Sequence, residues 1–151
     1  RERGVPTIVD SRYGVRSFSG VDYVKQNDAE LAAAFERRLD TEDALEGAAR
    51  ELITELGAKG ALITRGEKGM MLFLADGERH EIPVSDRSEV YDVSGAGDTC
   101  VAAFILALAG GASPLAAVRL SNIASGIAVR KFGTATVSAA ELTKKVRELS
   151  V

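Results

Sequence analysis

Residues 41–64, TEDALEGAARELITELGAKGALIT, decide the fold class. Thr41 suits a helix N-cap, and Leu45, Ala48, Ala49, Leu52, Ile53 and Leu56 recur at the spacing that lines one face of a helix before Gly57 stops it. ALIT (61–64) then reads as a strand. On the N-terminal side, YVKQN (23–27) is a second strand, and Asn27 or Asp28 caps a helix over DAELAAAFERRL (28–39). VPTIVD (5–10) is a β-branched, buried strand that ends on Asp10, and residues 11–21 form a loop. On the C-terminal side, MMLFLA (70–75) and ERHEIPV (78–84) are separated by turns, which predicts that the 61–64 strand enters a hairpin. Helices follow at VAAFILALAGG (101–111) and at 113–133, where Ser113 caps, Pro114 opens and Gly133 lies past the end. TATV (134–137) is a last strand, and SAAELTKKVREL (138–149) is a helix whose Ser138 and Glu141 form a capping-box pattern. Strands alternating with helices imply an α/β fold with a mainly parallel sheet, in which ligands bind beyond the carboxyl ends of the strands. The loops after residues 10, 27, 64 and 91 are therefore where chemistry is expected.

Composition narrows the function. The chain has 151 residues, 46% of them hydrophobic, and 19 Lys and Arg against 22 Asp and Glu, with no basic block. Binding to a nucleic-acid backbone thus has little electrostatic support. No stretch reaches the roughly 18 apolar residues of a membrane span, so no membrane partner and a cytoplasmic location are expected. One Cys and one His rule out an internal disulfide and an ordinary zinc site. Cys100 reads as a core residue and His80 as a solvent-facing strand residue. Arg1 leads straight towards a strand with no start signal, which suggests the later part of a longer polypeptide.

The most informative segment is Asp92-Val93-Ser94-Gly95-Ala96-Gly97-Asp98-Thr99. Small residues Gly95, Ala96 and Gly97 let the backbone approach an anion, with amides directed out of a helix start. A carboxylate one residue later would repel a phosphate. Its presence makes sense if Asp98 takes the proton from a hydroxyl attacking that phosphate; otherwise Asp98 is a helix cap. Three further features bear on this choice. Asn27 and Glu30 sit three residues apart at a helix start, suited to phosphate and the water shell of Mg²⁺ or to a cap with an exposed Glu. Thr64-Arg65-Gly66-Glu67-Lys68-Gly69 suits close passage of nucleotide phosphates, or is a Gly-rich turn. Asn122, within a small and apolar helix face ahead of the Lys131–Thr134 turn, either walls an adenine pocket or packs the helix.

The order and spacing of these four features resemble the C-terminal half of the ribokinase-like (phosphofructokinase B) carbohydrate kinases, whose late signature runs roughly [DN]-T-x-G-A-G-D. TRGEKGM, YDVSGAGDT and KFGTATVSAAEL are most similar to the heptose 7-phosphate kinase branch. The resemblance spans nearly all 151 residues. It implies a ribokinase-like three-layer fold, of which residues 1–151 are the C-terminal, nucleotide-binding and catalytic part, with the N-terminal sugar-binding half absent. It further implies an ATP-dependent kinase with Mg²⁺, and K⁺ as a monovalent cation. Asp98 would be the catalytic base, and Gly95, Ala96 and Gly97 the anion-hole residues. Asn27 and Glu30 would serve phosphate and, through water, Mg²⁺; Thr64, Gly66 and Gly69 the nucleotide loop; Asn122 and Gly133 the adenine side. Asp92 and Ser94, with backbone around Lys131–Thr136, would hold the monovalent cation. The implied partners are ATP, a free or phosphorylated sugar, an N-terminal half in cis or in trans, and further copies of the chain. Ser94 stands where the family usually has Thr, and Gln26 where Pro is common. Alternative readings are another ribokinase-like kinase, for ribose, fructose, a nucleoside or a sugar phosphate, and a non-catalytic nucleotide-binding module.

Overall fold

The computed structural model describes residues 4–85 and 91–149. The chain divides into two compact units, 1–82 and 83–151.

The first unit carries a five-stranded sheet in the order β1 (Ile8–Asp10), β2 (Tyr23–Asn27), β3 (Gly60–Thr64), β4 (Met70–Leu74), β5 (Arg79–Ile82). β1, β2 and β3 are parallel; β4 runs antiparallel to β3, and β5 antiparallel to β4, so four strands share one direction. α1 (Asp28–Ala34) follows β2, and α2 (Glu42–Leu56) packs against β3 and β4. The apolar stripe of α2 closes over Val9, Val24, Ala61, Ile63, Met71 and Phe73 in one core. Burying each large side chain there contributes about 1.5–3 kcal/mol. The alternate residues of β3 and β4, Leu62 and Leu72, are fully buried too.

The parallel register has a direct consequence for function. It sets Asp10 beside Lys25 and Asn27 beside Thr64, so the motifs after three strands emerge at one edge of the sheet.

α1 is shorter than its sequence suggests, ending at Ala34 rather than running to residue 39. Glu36 adopts a left-handed backbone (φ 50°), while Glu36 N–H donates to the Ala33 carbonyl and Arg37 N–H to the Ala32 carbonyl. This is a Schellman closure with Glu in the position Gly usually takes, which is why no stop signal was visible. Arg16 and Arg37 stack on the Phe35 ring at 4.7 and 4.8 Å and hold the closure in place. In the loop expected over 11–21, a short 3₁₀ turn, Val15–Ser17, buries Val15.

The second unit consists of α3 (Ala96–Ala109), α4 (Pro114–Ala128) and α5 (Ala139–Leu149), with α3 packed on α4 and α4 on α5. Three expectations need correction here. α3 starts at Ala96, five residues before the apolar run at 101, so Gly97 and Asp98 lie inside its first turn. α4 stops at Ala128 instead of continuing towards Gly133. The Val129 carbonyl is turned to the Tyr91 and Asp92 N–H groups, and the N–H groups of Arg130 and Lys131 fall back on i−3 carbonyls, which ends the helix. TATV forms no strand: the Lys131 ammonium takes the Thr136 carbonyl at 2.7 Å, and Ala135 N–H bonds to Gly133. Cys100 is buried, as expected, while His80 on β5 is only partly exposed and pairs with Glu78 at 3.0 Å.

The capping box at the start of α5 forms as its sequence predicts, and Lys131 reinforces it. Glu141 accepts from the Ser138 N–H and hydroxyl at 2.8 Å and pairs with Lys131 at 2.6 Å. The Lys131 hydrogen bond, followed by those from Ser138, holds the Glu141 carboxyl down at about 2, against an ordinary 4.5. A carboxyl more acidic in the folded than in the unfolded chain stabilises the fold above its unfolded pKa, and that contribution is lost as pH falls through the folded one. Glu141→Gln is therefore expected to unfold at a lower temperature than the wild type near neutral pH, with the gap closing between about pH 4.5 and 2 in a series of thermal melts.

Candidate functional site

In the first unit, Asn27 is the N-cap of α1 and forms a reciprocal box with Glu30. The Asn27 Oδ1 accepts from Glu30 N–H at 2.7 Å, and Glu30 Oε2 accepts from Asn27 N–H at 2.9 Å. The capping role is thus realised, and it leaves groups over. The Asn27 side-chain NH₂ and Glu30 Oε1 meet no partner among the described residues, so the pair can cap the helix and still present a donor and a carboxylate oxygen. Both residues line a cavity of about 410 Å³, together with Arg12, Gly14, Val15 and Arg16.

Thr64 sits at the end of β3 beside Asn27. The chain then makes a 3₁₀ turn, Gly66–Lys68, closed by Arg65 N–H to the Gly69 carbonyl at 2.8 Å. Gly69 (φ 84°, ψ −135°) occupies backbone space closed to side-chain-bearing residues, which explains the glycine on physical grounds. Arg65, absent from the expected site residues, braces this loop. Its Nη1 lies 3.3 Å from Glu42 on α2, and Glu42 also takes Arg79 at 2.9 Å. These pairs hold the Glu42 carboxyl below its ordinary value, through Arg65 first and Arg79 second. The loop is tied to α2 by charge.

Around the second motif, Gly95 is the N-cap of α3 with a left-handed backbone (φ 77°) and no side chain to cap with. Of the first N–H groups of the helix, Ala96 donates to the Val93 carbonyl at 3.2 Å. Those of Gly95, Gly97 and Asp98 meet no acceptor among the described residues. Of the three amides expected to face an anion, that of Ala96 is therefore bonded within the turn, while those of Gly95 and Gly97 are not bonded to any described residue. The Asp98 carboxylate is exposed, stands at the third helical position rather than at the cap, and has no partner among the described residues. Ser125 Oγ donates to the Ala96 carbonyl at 3.3 Å and fixes the turn to α4.

Asp92 organises the loops beside this turn. One carboxylate oxygen accepts from Ser94 N–H at 2.8 Å and the other from Gly133 N–H at 3.0 Å. These bonds, those from Ser94 first, lower its pKa and keep it anionic. Asp92, Ser94 and Gly133 are thus brought together as the cation-loop expectation requires, although both Asp92 oxygens already serve backbone donors. Asn122 is buried, and its side-chain amide donates to the Pro83 carbonyl at 2.7 Å. That contact realises the packing reading of Asn122.

Missed by sequence reasoning was an ion pair inside the sheet. Lys25, almost fully buried on β2, meets Asp10 at 3.0 Å. A lysine within an otherwise buried strand was the available signal, but its partner depends on strand register.

The α/β fold and the order of these loop motifs are those of a carbohydrate kinase family. The chain belongs to the pfkB family of carbohydrate kinases, whose family model matches residues 2–141. Among curated relatives, the bifunctional protein HldE of Mesorhizobium japonicum is 42% identical over 144 residues, covering 95% of this chain and 29% of that protein. HldE of Geotalea uraniireducens is 41% identical over 149 residues, covering 97% of this chain and 30% of its own. Among solved structures, phosphofructokinase-2 from Escherichia coli in complex with potassium superposes with TM-score 0.84 at 27% identity, over 99% of this chain and 49% of that one. Arabidopsis thaliana ribokinase complexed with ribose and ATP gives 0.85 at 25% identity, over 97% and 49%. The chain thus spans about a third of its curated relatives and half of the solved kinases. No helix among the described residues is long and apolar enough to cross a membrane.

The Asn122 contact is directly testable. Asn122→Ala leaves the Pro83 carbonyl without its donor, and a buried unpaired polar group costs about 1–3 kcal/mol. Chemical denaturation should show a loss of that size; an unchanged midpoint would mean that water replaces the amide.

Proposed function

We propose that this chain is the nucleotide-binding and base-carrying part of an ATP-dependent sugar kinase, which transfers the γ-phosphoryl group to the anomeric hydroxyl of heptose 7-phosphate. One observation carries the reading: an exposed carboxylate, Asp98, that has no partner among the described residues stands in the same helical turn as amides that have no acceptor among them. A group that only capped α3 would be bonded to the turn, whereas a general base must be free to reach a substrate hydroxyl. The amides of Gly95, Gly97 and Asp98 would receive the anionic oxygens on which charge builds during transfer. The family membership and the HldE relatives support the sugar-kinase assignment and its heptose branch.

Mg²⁺ supplies neutralisation of the phosphate charge when bound. Mg²⁺ takes oxygen ligands and keeps several of its waters, so a single carboxylate acting through water suits it. Glu30, through its uncommitted oxygen and a water, is the residue assigned to it. K⁺ is assigned to Asp92 and Ser94 with carbonyls of the 131–136 turn, a set of hard oxygen donors of the appropriate kind. The acceptor sugar is to be oriented by an N-terminal half supplied in cis or in trans, and the unpaired outer edge of β1 among the described residues offers a place for added strands. Self-association of further copies and a cytoplasmic location belong to the same proposal.

Asp98→Asn keeps the shape and removes the base. With an N-terminal kinase half supplied, phosphoryl transfer to heptose 7-phosphate should fall by about 10²–10⁴-fold, while ATP affinity changes little. Turnover close to the wild-type rate would remove Asp98 from the mechanism.

A further inference from the structure

The loop after β1 presents a cation that neither the motifs nor the kinase reading uses. Its framework is firmly held. Asp10 at its base pairs with Lys25 at 3.0 Å. Gln26, fully buried, donates from Nε2 to the Ser11 carbonyl at 3.0 Å. Ser11 Oγ donates to the Tyr13 carbonyl at 2.7 Å, and Val15 is buried just beyond.

Arg12 projects from that loop and lines the 410 Å³ cavity shared with Asn27 and Glu30. The other cations nearby are spent. Lys25 is neutralised by Asp10, and Arg16 grips Glu55 through two bonds of 2.6 and 2.7 Å while stacking on Phe35. Arg12 alone of the three has no carboxylate partner among the described residues. An uncompensated guanidinium on a pinned turn, facing a cavity that also offers the Asn27 NH₂, matches the oxygens of a phosphate group, which a guanidinium binds in bidentate fashion.

We propose that Arg12 is a phosphate-binding residue of this cavity. Its guanidinium contacts the phosphoryl oxygens of the nucleotide held by Asn27 and Glu30, an inference that rests on the kinase reading. The same chemistry would suit the phosphate of a phosphorylated sugar, so the test must separate the two sources.

The experiment is calorimetric titration of the 151-residue chain, wild type, Arg12→Ala and Arg12→Lys, with MgATP, adenosine and heptose 7-phosphate. Arg12 is exposed, and unchanged thermal melts will confirm that the variants fold. Losing one charge-assisted bidentate contact should weaken MgATP binding by about 10- to 100-fold in Arg12→Ala, with partial recovery in Arg12→Lys and no change for adenosine. Weakening of heptose 7-phosphate binding alone would support the phosphate site and assign it to the acceptor. Equal weakening for ATP and adenosine, or none for either phosphorylated ligand, would overturn the proposal while leaving the kinase reading in place. A wild-type chain that binds neither ATP nor adenosine would end both.

Discussion

The left-handed backbone at Gly95 is the constraint on which the catalytic reading depends. A helix starts with N–H groups that need partners, and a Ser, Thr, Asp or Asn at the cap would normally satisfy one of them. Here the cap has no side chain, and its φ of 77° is one that L-residues adopt only at a cost. The neighbouring groups are fixed independently: Asp92 bridges Ser94 and Gly133, and Ser125 holds the Ala96 carbonyl. The turn is therefore held by Asp92, Ser125 and the Ala96 amide, while the amides of Gly95, Gly97 and Asp98 meet no acceptor among the described residues. Their free energy of hydrogen bonding is left for a ligand to claim.

The first unit solves a different problem, the placing of charge at the end of a buried sheet. Lys25 would be costly where it lies if Asp10 did not meet it, and the pair is made by strand register. Arg65 and Arg79 are similarly absorbed by Glu42, which fixes the 64–69 loop to α2. Among the described residues lining the Asn27–Glu30 cavity, one oxygen of Glu30 and the Arg12 guanidinium remain uncommitted once these pairs form, and chemistry can be assigned to them.

Much of this was legible before any coordinates. α2 carries local signals at both ends, a cap at Thr41 and a glycine at 57, and the structure places it where those signals do, as it places β2 over the expected residues 23–27. What failed was decided by contacts between distant residues. The end of α1 relies on Glu36 in a glycine-like conformation, and the end of α4 on a carbonyl diverted to residues 91 and 92. The small residues at 95–97 were legible as a helix start, but without apolar spacing or a capping side chain they did not fix its first residue. Site residues followed the same division. Asp98, Asn27 and Glu30 are visible as spacing, whereas the neighbours Asn27 and Thr64, the pinning of Ser11 by Gln26 and the commitment of the Ala96 amide require register and geometry.

The most direct test of an open anion site at the start of α3 is to follow the backbone amides of the labelled chain by NMR while MgADP is added. The amide resonances of Gly95, Gly97 and Asp98 should move strongly and saturate together, whereas Ala96, already bonded to Val93, should move less. Nucleotide binding that leaves the amides of Gly95, Gly97 and Asp98 unmoved, with the shifts confined to other residues, would contradict the assignment of this turn to phosphate.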